Sequence, residues 1–324
     1  MDLKYTLETF DSLSPEWSRL QEKSQVAPIF SSQEWSRIWW QHFSSDDTLH
    51  LAAIKKEGQT LGIAPLMVRK NTGYFIGDTD VCDYLDCIVS PDNAETFFKI
   101  LLQNLGQEGI SKLELAPLRP DSTVITTMTP IARRSGWQVS QSQIDVTVEL
   151  ALPHTWEDYL NTLRSKQRHE LRRKLRRLDE EGEVIYLTRS EANPQDITTF
   201  LKLFRNSRAD KSEFMTPVRE AFFKDMTKAM ADYKILDIGL LEIDSKTTAI
   251  TISFNYKNNI YLYNSGYDPE YSGSSVGLLS KALCIKHSIE RAKGKFDFLK
   301  GGEDYKFHLG GHELPIYSCS FTYN

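Results

Sequence analysis

The same order of apolar patterns occurs twice in this chain, and this repeat limits the possible folds most. In residues 49–68, two apolar runs flank a Lys-Lys-Glu-Gly turn, and an amphipathic helix later precedes the strand KLELAPL at 112–118. A similar hairpin pattern covers 235–256, and another helix precedes KFDFL at 295–299. Hairpins followed by a helix and a strand predict an α/β fold (mixed α+β). In this fold, mostly antiparallel mixed sheets are flanked by helices.

The chain has 324 residues, which suggests two domains, and we expect them to span 1–152 and 153–324. The second half predicts one long helix over 156–181, then helices over 196–208 and 217–233. A three-stranded meander follows over 235–267, with turns at Asp244-Ser245-Lys246 and Lys257-Asn258-Asn259. A chance similarity between two unrelated halves remains the competing interpretation.

Charge is divided unevenly along the chain. Residues 1–150 hold 13 Lys and Arg against 20 Asp and Glu, whereas residues 151–324 hold 26 against 24. The net charge is −5. An acidic first half argues against DNA binding and against broad nucleic-acid binding, which need a large basic surface.

Several other classes of protein are disfavoured by missing patterns. The sequence contains no apolar run of the roughly 18 residues that span a bilayer. Its first residues lack a basic segment followed by an apolar one, so we expect a cytoplasmic protein without a transmembrane segment. The four cysteines form no C-x-x-C pair, and neither a G-x-S-x-G elbow nor a P-loop motif occurs, which disfavours structural zinc, a hydrolase triad and an NTPase.

The loop YSGSSVGLL is the strongest candidate for binding an anion. Gly273, Ser274, Ser275 and Gly277 lie where this loop runs into the predicted helix 276–293. The first amides of a helix lack partners within the helix, and its dipole favours negative charge there. The alternative is an ordinary N-cap formed by Ser274 or Ser275.

Polar residues are densest in FDFLKGGEDYKFHLGG. Two glycines follow the strand, and Glu303, Tyr305 and Lys306 come next. A carboxylate and a phenol are suited to proton transfer, and an ammonium is suited to binding a phosphate or carboxylate. The competing interpretation is a surface turn with a Glu–Lys pair three residues apart.

Four aspartates, Asp78, Asp80, Asp83 and Asp86, lie within nine positions. Crowded carboxylates raise each other's pKa, so Asp86 is a candidate general base, with Tyr84 and Asp83 as substrate-binding neighbours. The spacing does not match a calcium loop, and we expect no metal site. The alternative is an acidic surface loop.

The segment RSKQRHELRRKLRRL, residues 164–178, holds eight Lys and Arg on an amphipathic helix. Arg168 and Arg172 are candidates for binding an anionic substrate. RNA binding, contact with anionic lipid and a plain solvated basic face remain alternatives.

Six segments carry a resemblance to a known family. In the first half they are PIFSSQEWSRIWWQHF, LGIAPLMV and DYLDCIV, and in the second half KQRHELRRKLRRLDEEG, SSVGLL and FDFLKGGEDYKFHLG. Together they resemble the GNAT acyltransferase superfamily, its FemAB-like two-domain branch, and within it the CelD-like subgroup named for cellulose-biosynthesis loci. The resemblance implies two tandem GNAT-like domains and transfer of an acyl group to an amine of a sugar, amino acid or cell-envelope precursor.

The same resemblance assigns roles to residues. It implies acyl-CoA or acetyl-CoA as co-substrate, with its pyrophosphate at Gly273, Ser274, Ser275, Val276, Gly277 and Leu278. Glu303 or Asp86 would deprotonate the amine, Tyr305 would protonate the leaving thiolate, and Lys306 would contact substrate. Ser272 and Ser275 depart from the family's Arg/Gln and middle glycine. A Fem-type enzyme using aminoacyl-tRNA, which the net negative charge disfavours, and a non-catalytic binding protein therefore remain alternatives.

Overall fold

The computed structural model of the protein describes residues 3–24 and 27–323. The chain separates into two compact units. Unit 1 contains the described residues up to Val146 together with those from Leu314 onward, and unit 2 contains Thr147–Glu313.

Unit 1 is a sheet flanked by helices. Its elements are β1 (Leu3–Glu8), α1 (Phe10–Lys23), α2 (Gln33–Phe43), β2 (Thr48–Lys56), β3 (Gln59–Arg69), β4 (Thr72–Phe75), β5 (Ile88–Val89), α3 (Pro91–Gln107), β6 (Lys112–Leu118), α4 (Thr129–Arg134) and the first part of β7 (Gln138–Ala151). A 3₁₀-helix over Ile29–Ser31 and a π-helix over Val124–Met128 complete it. The strand order is β1-β2-β3-β4-β6, and every pair is antiparallel except β4 with β6.

Unit 2 follows the same plan. Its elements are α5 (Trp156–Thr162), α6 (Ser165–Asp179), β8 (Val184–Arg189), α7 (Pro194–Ser207), α8 (Ala209–Phe214), α9 (Pro217–Asp232), β9 (Leu236–Ile243), β10 (Lys246–Tyr256), β11 (Asn259–Tyr267), a 3₁₀-helix (Pro269–Ser274), α10 (Val276–Glu290), β12 (Lys295–Lys300), α11 (Asp304–His308) and the start of β13 (His312–Thr322). The end of β7 opens the strand order β7-β12-β11-β10-β9-β8.

Two tight turns set the register of the β9–β10–β11 meander. Asp244 and Ser245 have φ of 49° and 63°, and Lys257 and Asn258 have φ of 48° and 61°. Two successive positive φ values twist a hairpin in the sense that antiparallel strands need, and Asp and Asn adopt this region more readily than most residues. The meander and both turns predicted from the sequence are confirmed.

The core of unit 2 lies around α10. Leu279, Ala282 and Ile285 are fully buried, and the helix packs on β9, β10 and β11. A helix with apolar residues on nearly every side is covered all round, so the polar residues that remain on it are informative. Among them, Lys281 is only 8% exposed.

The predicted helix over 156–181 is divided in two. Helix α5 ends at Thr162, and α6 begins at Ser165. Leu163 has an extended ψ of 145°, is 4% exposed and packs in the apolar core of unit 2. Burial of this leucine offsets the loss of helical hydrogen bonds at the break.

The last strand pairs within unit 1. Cys319, Ser320 and Phe321 of β13 lie opposite Leu115, Glu114 and Leu113 of β6. The expected limits, 1–152 and 153–324, assign this strand to the second domain, whereas residues from Leu314 onward make their contacts in unit 1.

The expected mixed α/β fold is confirmed, since each unit contains a mixed sheet flanked by helices. No helix in the described part of the chain is long and apolar enough to cross a membrane.

Gly266 tests the packing of α7 on β11. A Cβ at Gly266 would overlap the backbone of Leu203 and Phe204, whereas a Cβ at Gly273 would meet nothing within 4 Å. We expect Gly266→Ala to lower the free energy of unfolding by about 1–3 kcal/mol, the usual cost of overpacking. Gly273→Ala should change it by less than about 0.5 kcal/mol. Urea denaturation of both variants measures this, and equal stabilities would contradict the packing.

Candidate functional site

The site of unit 2 begins where two parallel strands stop pairing. Strands β11 and β12 pair only over Asn259–Tyr261 and Lys295–Asp297. Strand β11 nevertheless continues to Tyr267, and β12 continues to Lys300. The sheet therefore opens beyond the paired residues, and α10 and α11 begin shortly after the two strand ends.

Two cavities border the segment that leads from β11 into α10. The first, here the α6 cavity, has a volume of about 410 Å³ and is lined by Arg173, Lys174, Arg177, Glu180, Glu181, Gly273, Ser274 and Ser275. The second, here the Lys281 cavity, has a volume of about 320 Å³ and is lined by Arg208, Lys211, Ser265, Tyr267, Ser272, Ser275, Gly277, Leu278, Lys281, Glu303 and Tyr305. Ser275 lines both cavities.

The loop between the cavities is held by side-chain hydrogen bonds. Ser275 has the left-handed φ of 57°, and its hydroxyl oxygen accepts a hydrogen bond of 2.5 Å from Lys174 Nζ. Ser274 Oγ donates to Glu181 at 2.6 Å. Neither serine side chain caps α10, because the helix has no side-chain cap bond. Leu278 N and Leu279 N already donate to Ser275 O at 3.0 Å, which leaves the amides of Val276 and Gly277 as the candidates for binding an anion.

Gly277 is explained by packing. Its φ lies outside the left-handed region, but a Cβ there would lie 2.8 Å from the ring of Tyr267. The absence of a side chain lets the first turn of α10 lie directly against this ring.

Positive charge at the α6 cavity comes from one turn of α6. Arg173, Lys174 and Arg177 line it, opposed by Glu180 and Glu181. The two arginines predicted from the sequence make other contacts. Arg172 pairs with Glu157, and Arg168 Nη1 lies 3.5 Å from Asn161 Oδ1. Their predicted role in substrate binding stays a prediction.

The main electrostatic feature of the Lys281 cavity is a pair of lysines, the buried Lys281 and the half-buried Lys211. Lys281 Nζ donates to Gly277 O at 2.5 Å and lies 5.1 Å from the centre of the Tyr305 ring. Burial, with the charge of Lys211 adding to it, lowers the pKa of Lys281 to about 7. Burial and Arg208 likewise lower the pKa of Lys211 to about 8. An anion entering this cavity would favour the protonated form of both lysines.

Glu303 and Tyr305 lie together at this cavity, as their spacing in the sequence suggested. Partial burial raises the pKa of Glu303, but the charge and hydrogen bond of Lys306 outweigh it, so the pKa is lowered overall. Burial raises the pKa of Tyr305, which keeps its phenol protonated. The site thus holds an ionised carboxylate beside a protonated phenol, and the predicted roles of Glu303 and Tyr305 in proton transfer stay predictions.

The ammonium of Lys306 is bonded to other groups of the protein. It is 2% exposed, and its ammonium donates to the carbonyl oxygens of Leu299, Lys300 and Gly301 at 3.0, 2.7 and 2.9 Å. It also pairs with Glu303 at 2.8 Å. An ammonium has three hydrogens, so these bonds use all of them. Its contact with substrate stays a prediction, and its observed contacts hold the turn after β12.

Asp86 lies in unit 1, where it organises a loop. It is 2% exposed and accepts hydrogen bonds from Cys87 N at 2.9 Å, Thr123 N at 2.7 Å, Thr123 Oγ1 at 2.7 Å and Val124 N at 3.3 Å. Burial raises its pKa to about 6, although these hydrogen bonds oppose the shift. The bonds fix the start of the π-helix at Val124. A catalytic role for Asp86 stays a prediction.

The residues beside Asp86 also belong to unit 1. Tyr84 is 2% exposed, and the Arg119 guanidinium lies 5.0 Å from its ring centre. Asp83 is half-buried. Their predicted substrate contacts stay predictions. Within the described ranges, no group of three or more His, Cys, Asp or Glu side chains could hold a metal ion.

Sequence reasoning missed Lys211 and Lys281. It identified the basic helix that carries the three cations of the α6 cavity, but it singled out Arg168 and Arg172 on that helix. Lys281 left a signal, since it is a lysine inside the apolar run VGLLSKALCI. A charged residue on the buried face of a helix is rare without a specific environment. Lys211 left none, because α8 has no buried residues and reads as a surface helix.

Residues 165–307 match the family model described as the Acetyltransferase (GNAT) domain. This segment contains every residue that lines the α6 and Lys281 cavities. Unit 2 is thus similar to GNAT acetyltransferase domains. No curated protein matches the chain.

Solved structures show the same fold over nearly the whole chain. FemX is 11% identical, with 98% of this chain and 96% of FemX covered and a TM-score of 0.68. The C-terminal domain of a putative lysylphosphatidylglycerol synthetase from Agrobacterium fabrum is 10% identical, with 96% and 92% covered and a TM-score of 0.59. A tandem GNAT protein from the clavulanic acid biosynthesis pathway is 10% identical, with 98% of each chain covered and a TM-score of 0.53.

Burial of Lys281 predicts a pH-dependent stability. Its pKa falls from the ordinary 10.5 to about 7 on folding, so between these values the unfolded chain binds more protons. Stability from this group therefore rises with pH over that range. We expect Lys281→Met to raise the free energy of unfolding at pH 6, and the gain to shrink at pH 9.5.

Lys286 is the matched control, because it lies on the same helix and its side chain is 43% exposed. Urea denaturation at both pH values compares Lys281→Met with Lys286→Met. A gain from Lys281→Met that is the same at pH 6 and 9.5 would contradict the buried-lysine explanation.

Proposed function

We propose that the protein is an N-acyltransferase that moves an acyl group from acyl-CoA or acetyl-CoA to an amine. The observation that carries this proposal is the position of Ser275, which borders both the cavity lined by Arg173, Lys174 and Arg177 and the cavity lined by Glu303 and Tyr305. The similarity of residues 165–307 to GNAT acetyltransferase domains supports it.

The donor's phosphates would bind between the 273–278 loop and α6. The amides that begin α10 and the side chains of Arg173, Lys174 and Arg177 supply the positive charge. The open space around Gly273 leaves room for a phosphate to approach the backbone. Lys174, already bonded to Ser275, joins the loop to the basic helix.

The reaction would take place in the Lys281 cavity. Glu303 would accept a proton from the acceptor's ammonium, and the neutral amine would attack the thioester carbonyl. The new C–N bond forms as the C–S bond breaks, Tyr305 would protonate the leaving thiolate, and the second proton that the nitrogen loses would return to the Tyr305 phenolate. Arg208 pairs with Asp210 at 2.8 Å, but Lys211 and Lys281 still outnumber Glu303 here, which favours an amine acceptor that also carries a carboxylate or phosphate.

A sugar, an amino acid or a cell-envelope precursor would meet this description. Within the superfamily we propose the CelD-like subgroup, on the motifs SSVGLL and FDFLKGGEDYKFHLG. An aminoacyl-tRNA donor is the alternative, and the basic residues of α6 favour it. The pairing of Arg172 with Glu157 and of Arg173 with Glu170 reduces that positive charge.

Ser275 offers a matched pair of variants for the donor site. Asp and Asn both tolerate its left-handed φ of 57°, but only Asp adds a negative charge beside Lys174. We expect Ser275→Asp to weaken CoA binding about tenfold or more, and Ser275→Asn to change it less than about threefold. Calorimetric titration of CoA measures both affinities.

Equal CoA affinities of the two folded variants would remove this loop from the donor site. Titration of tRNA at several salt concentrations tests the alternative donor, because binding to many phosphates weakens steeply with salt. A tight tRNA complex without measurable CoA binding would favour aminoacyl-tRNA. Binding of neither would favour a non-catalytic protein.

Glu303 tests the chemistry. If it accepts the amine's proton, Glu303→Gln should lower kcat by about 100- to 10,000-fold while CoA affinity stays nearly the same. Glu191→Gln is the control, because Glu191 is exposed and lies in the loop before α7. Steady-state kinetics with a panel of amino sugars and amino acids measures the effect. Unchanged turnover in Glu303→Gln would move the base elsewhere.

A further inference from the structure

Unit 1 contains the same opening between parallel strands as unit 2. Strands β4 and β6 pair in parallel only over Thr72–Tyr74 and Lys112–Glu114, although β6 continues to Leu118. A cavity of about 560 Å³, here the Trp39 cavity, lies at this point. Its residues all belong to unit 1. The function proposed above makes no use of it.

Aromatic side chains form much of the wall of the Trp39 cavity. Trp39, Phe43, Tyr74 and Phe75 line it, and the rings of Trp39 and Phe43 lie 5.7 Å apart. One cation already uses such a surface, because the Arg69 guanidinium lies 5.6 Å from the centre of the Tyr74 ring. The ring faces and edges of this cavity suit an apolar body that carries a positive charge.

The ionic groups of this cavity are mainly acidic. Asp47, Asp78 and Glu114 line it, against Arg69 alone. Asp47 pairs with Arg69 at 2.8 Å, and Glu114 pairs with Lys112 at 2.6 Å. This balance is opposite to that of the α6 and Lys281 cavities, and it opposes the binding of a phosphate.

Asp78 is the carboxylate whose charge is not balanced. It accepts hydrogen bonds from Trp39 Nε1 at 2.7 Å, Asp80 N at 2.7 Å and Val81 N at 3.1 Å, all of them neutral donors. Among the residues that the structure describes, no ion pair of Asp78 is found. The Trp39 bond fixes the carboxylate beside the aromatic wall, where an incoming ammonium or guanidinium would meet both.

We propose that the Trp39 cavity binds an organic cation, a primary amine or guanidinium joined to an aromatic or apolar body. The cation pairs with Asp78, and the body lies against the half-buried rings of Phe43 and Tyr74, since Trp39 is only 3% exposed. Unit 1 is then a ligand-binding unit with a charge preference opposite to that of unit 2. This inference stands independently of the acyltransferase proposal.

A set of three small probes of similar shape tests the charge preference. Phenethylamine is the cation, 2-phenylethanol the neutral analogue and 3-phenylpropionate the anion, each titrated into the full chain by ligand-observed NMR. We expect phenethylamine to bind about fivefold or more tightly than either analogue. Equal binding of the three probes, or no binding of phenethylamine, would overturn the proposal.

Two variants assign the binding to this cavity. Asp78→Asn loses the charge and keeps one acceptor oxygen, which can serve either Trp39 Nε1 or the amides of Asp80 and Val81, so phenethylamine should bind it no better than 2-phenylethanol does. Glu303→Gln in unit 2 should bind phenethylamine like the wild type. Binding that survives Asp78→Asn but not Glu303→Gln would overturn the assignment, as would displacement of phenethylamine by CoA. The probe comparison on the wild-type chain does not depend on either variant folding.

Discussion

The early end of pairing between β11 and β12 is the constraint on which the site of unit 2 depends. Backbone groups beyond the paired residues need other partners if they are buried. Strand β11 keeps β10 on its other side as far as Tyr267, and Leu299 N donates to Asp297 Oδ1 at 2.8 Å. Lys306 takes the carbonyl oxygens of residues 299–301. These bonds satisfy part of the backbone that the opened sheet leaves without a partner strand.

Several cations at one opening destabilise the folded state electrostatically. Lys281 lowers its charge by a depressed pKa, whereas Lys306 keeps a partner in Glu303 and three carbonyl oxygens. The two lysines thus offset the cost of burial in different ways. Lys281 loses its charge more readily, and Lys306 has all of its ammonium hydrogens bonded. Lys281 can therefore respond to an anion by gaining a proton, whereas the ammonium hydrogens of Lys306 are already used.

Local patterns in the sequence predicted much of the fold. The turns at Asp244-Ser245 and Lys257-Asn258 and the start of α10 follow from short-range preferences, which act over a few residues. The break at Leu163 was missed because a buried tertiary contact outweighs helical propensity there. The pairing of β13 with β6 joins residues about two hundred positions apart, and no local pattern encodes such a partner.

The candidate site was predicted only in part, because local patterns reveal some of its residues and tertiary contacts place the others. Glu303 and Tyr305 lie close together in the sequence, and the 273–278 loop lies beside a helix start. Their residue types alone therefore suggested proton transfer and anion binding. The positions of Lys211 and Lys281 at one cavity depend on how α8 and α10 pack, which the sequence pattern does not reveal. Whether Lys306 faces a ligand or the backbone depended on the turn at residues 299–301.

The position of β13 has a consequence for synthesis. Unit 1 needs β6, in the last third of its first segment, and also residues from Leu314 onward, which leave the ribosome after all of unit 2. Domains usually fold in the order of synthesis, the N-terminal one first. Here the whole segment of unit 2 is synthesised before unit 1 is complete. The unit that is begun first is therefore completed last. Strand β6 lacks its partner strand β13 during that interval.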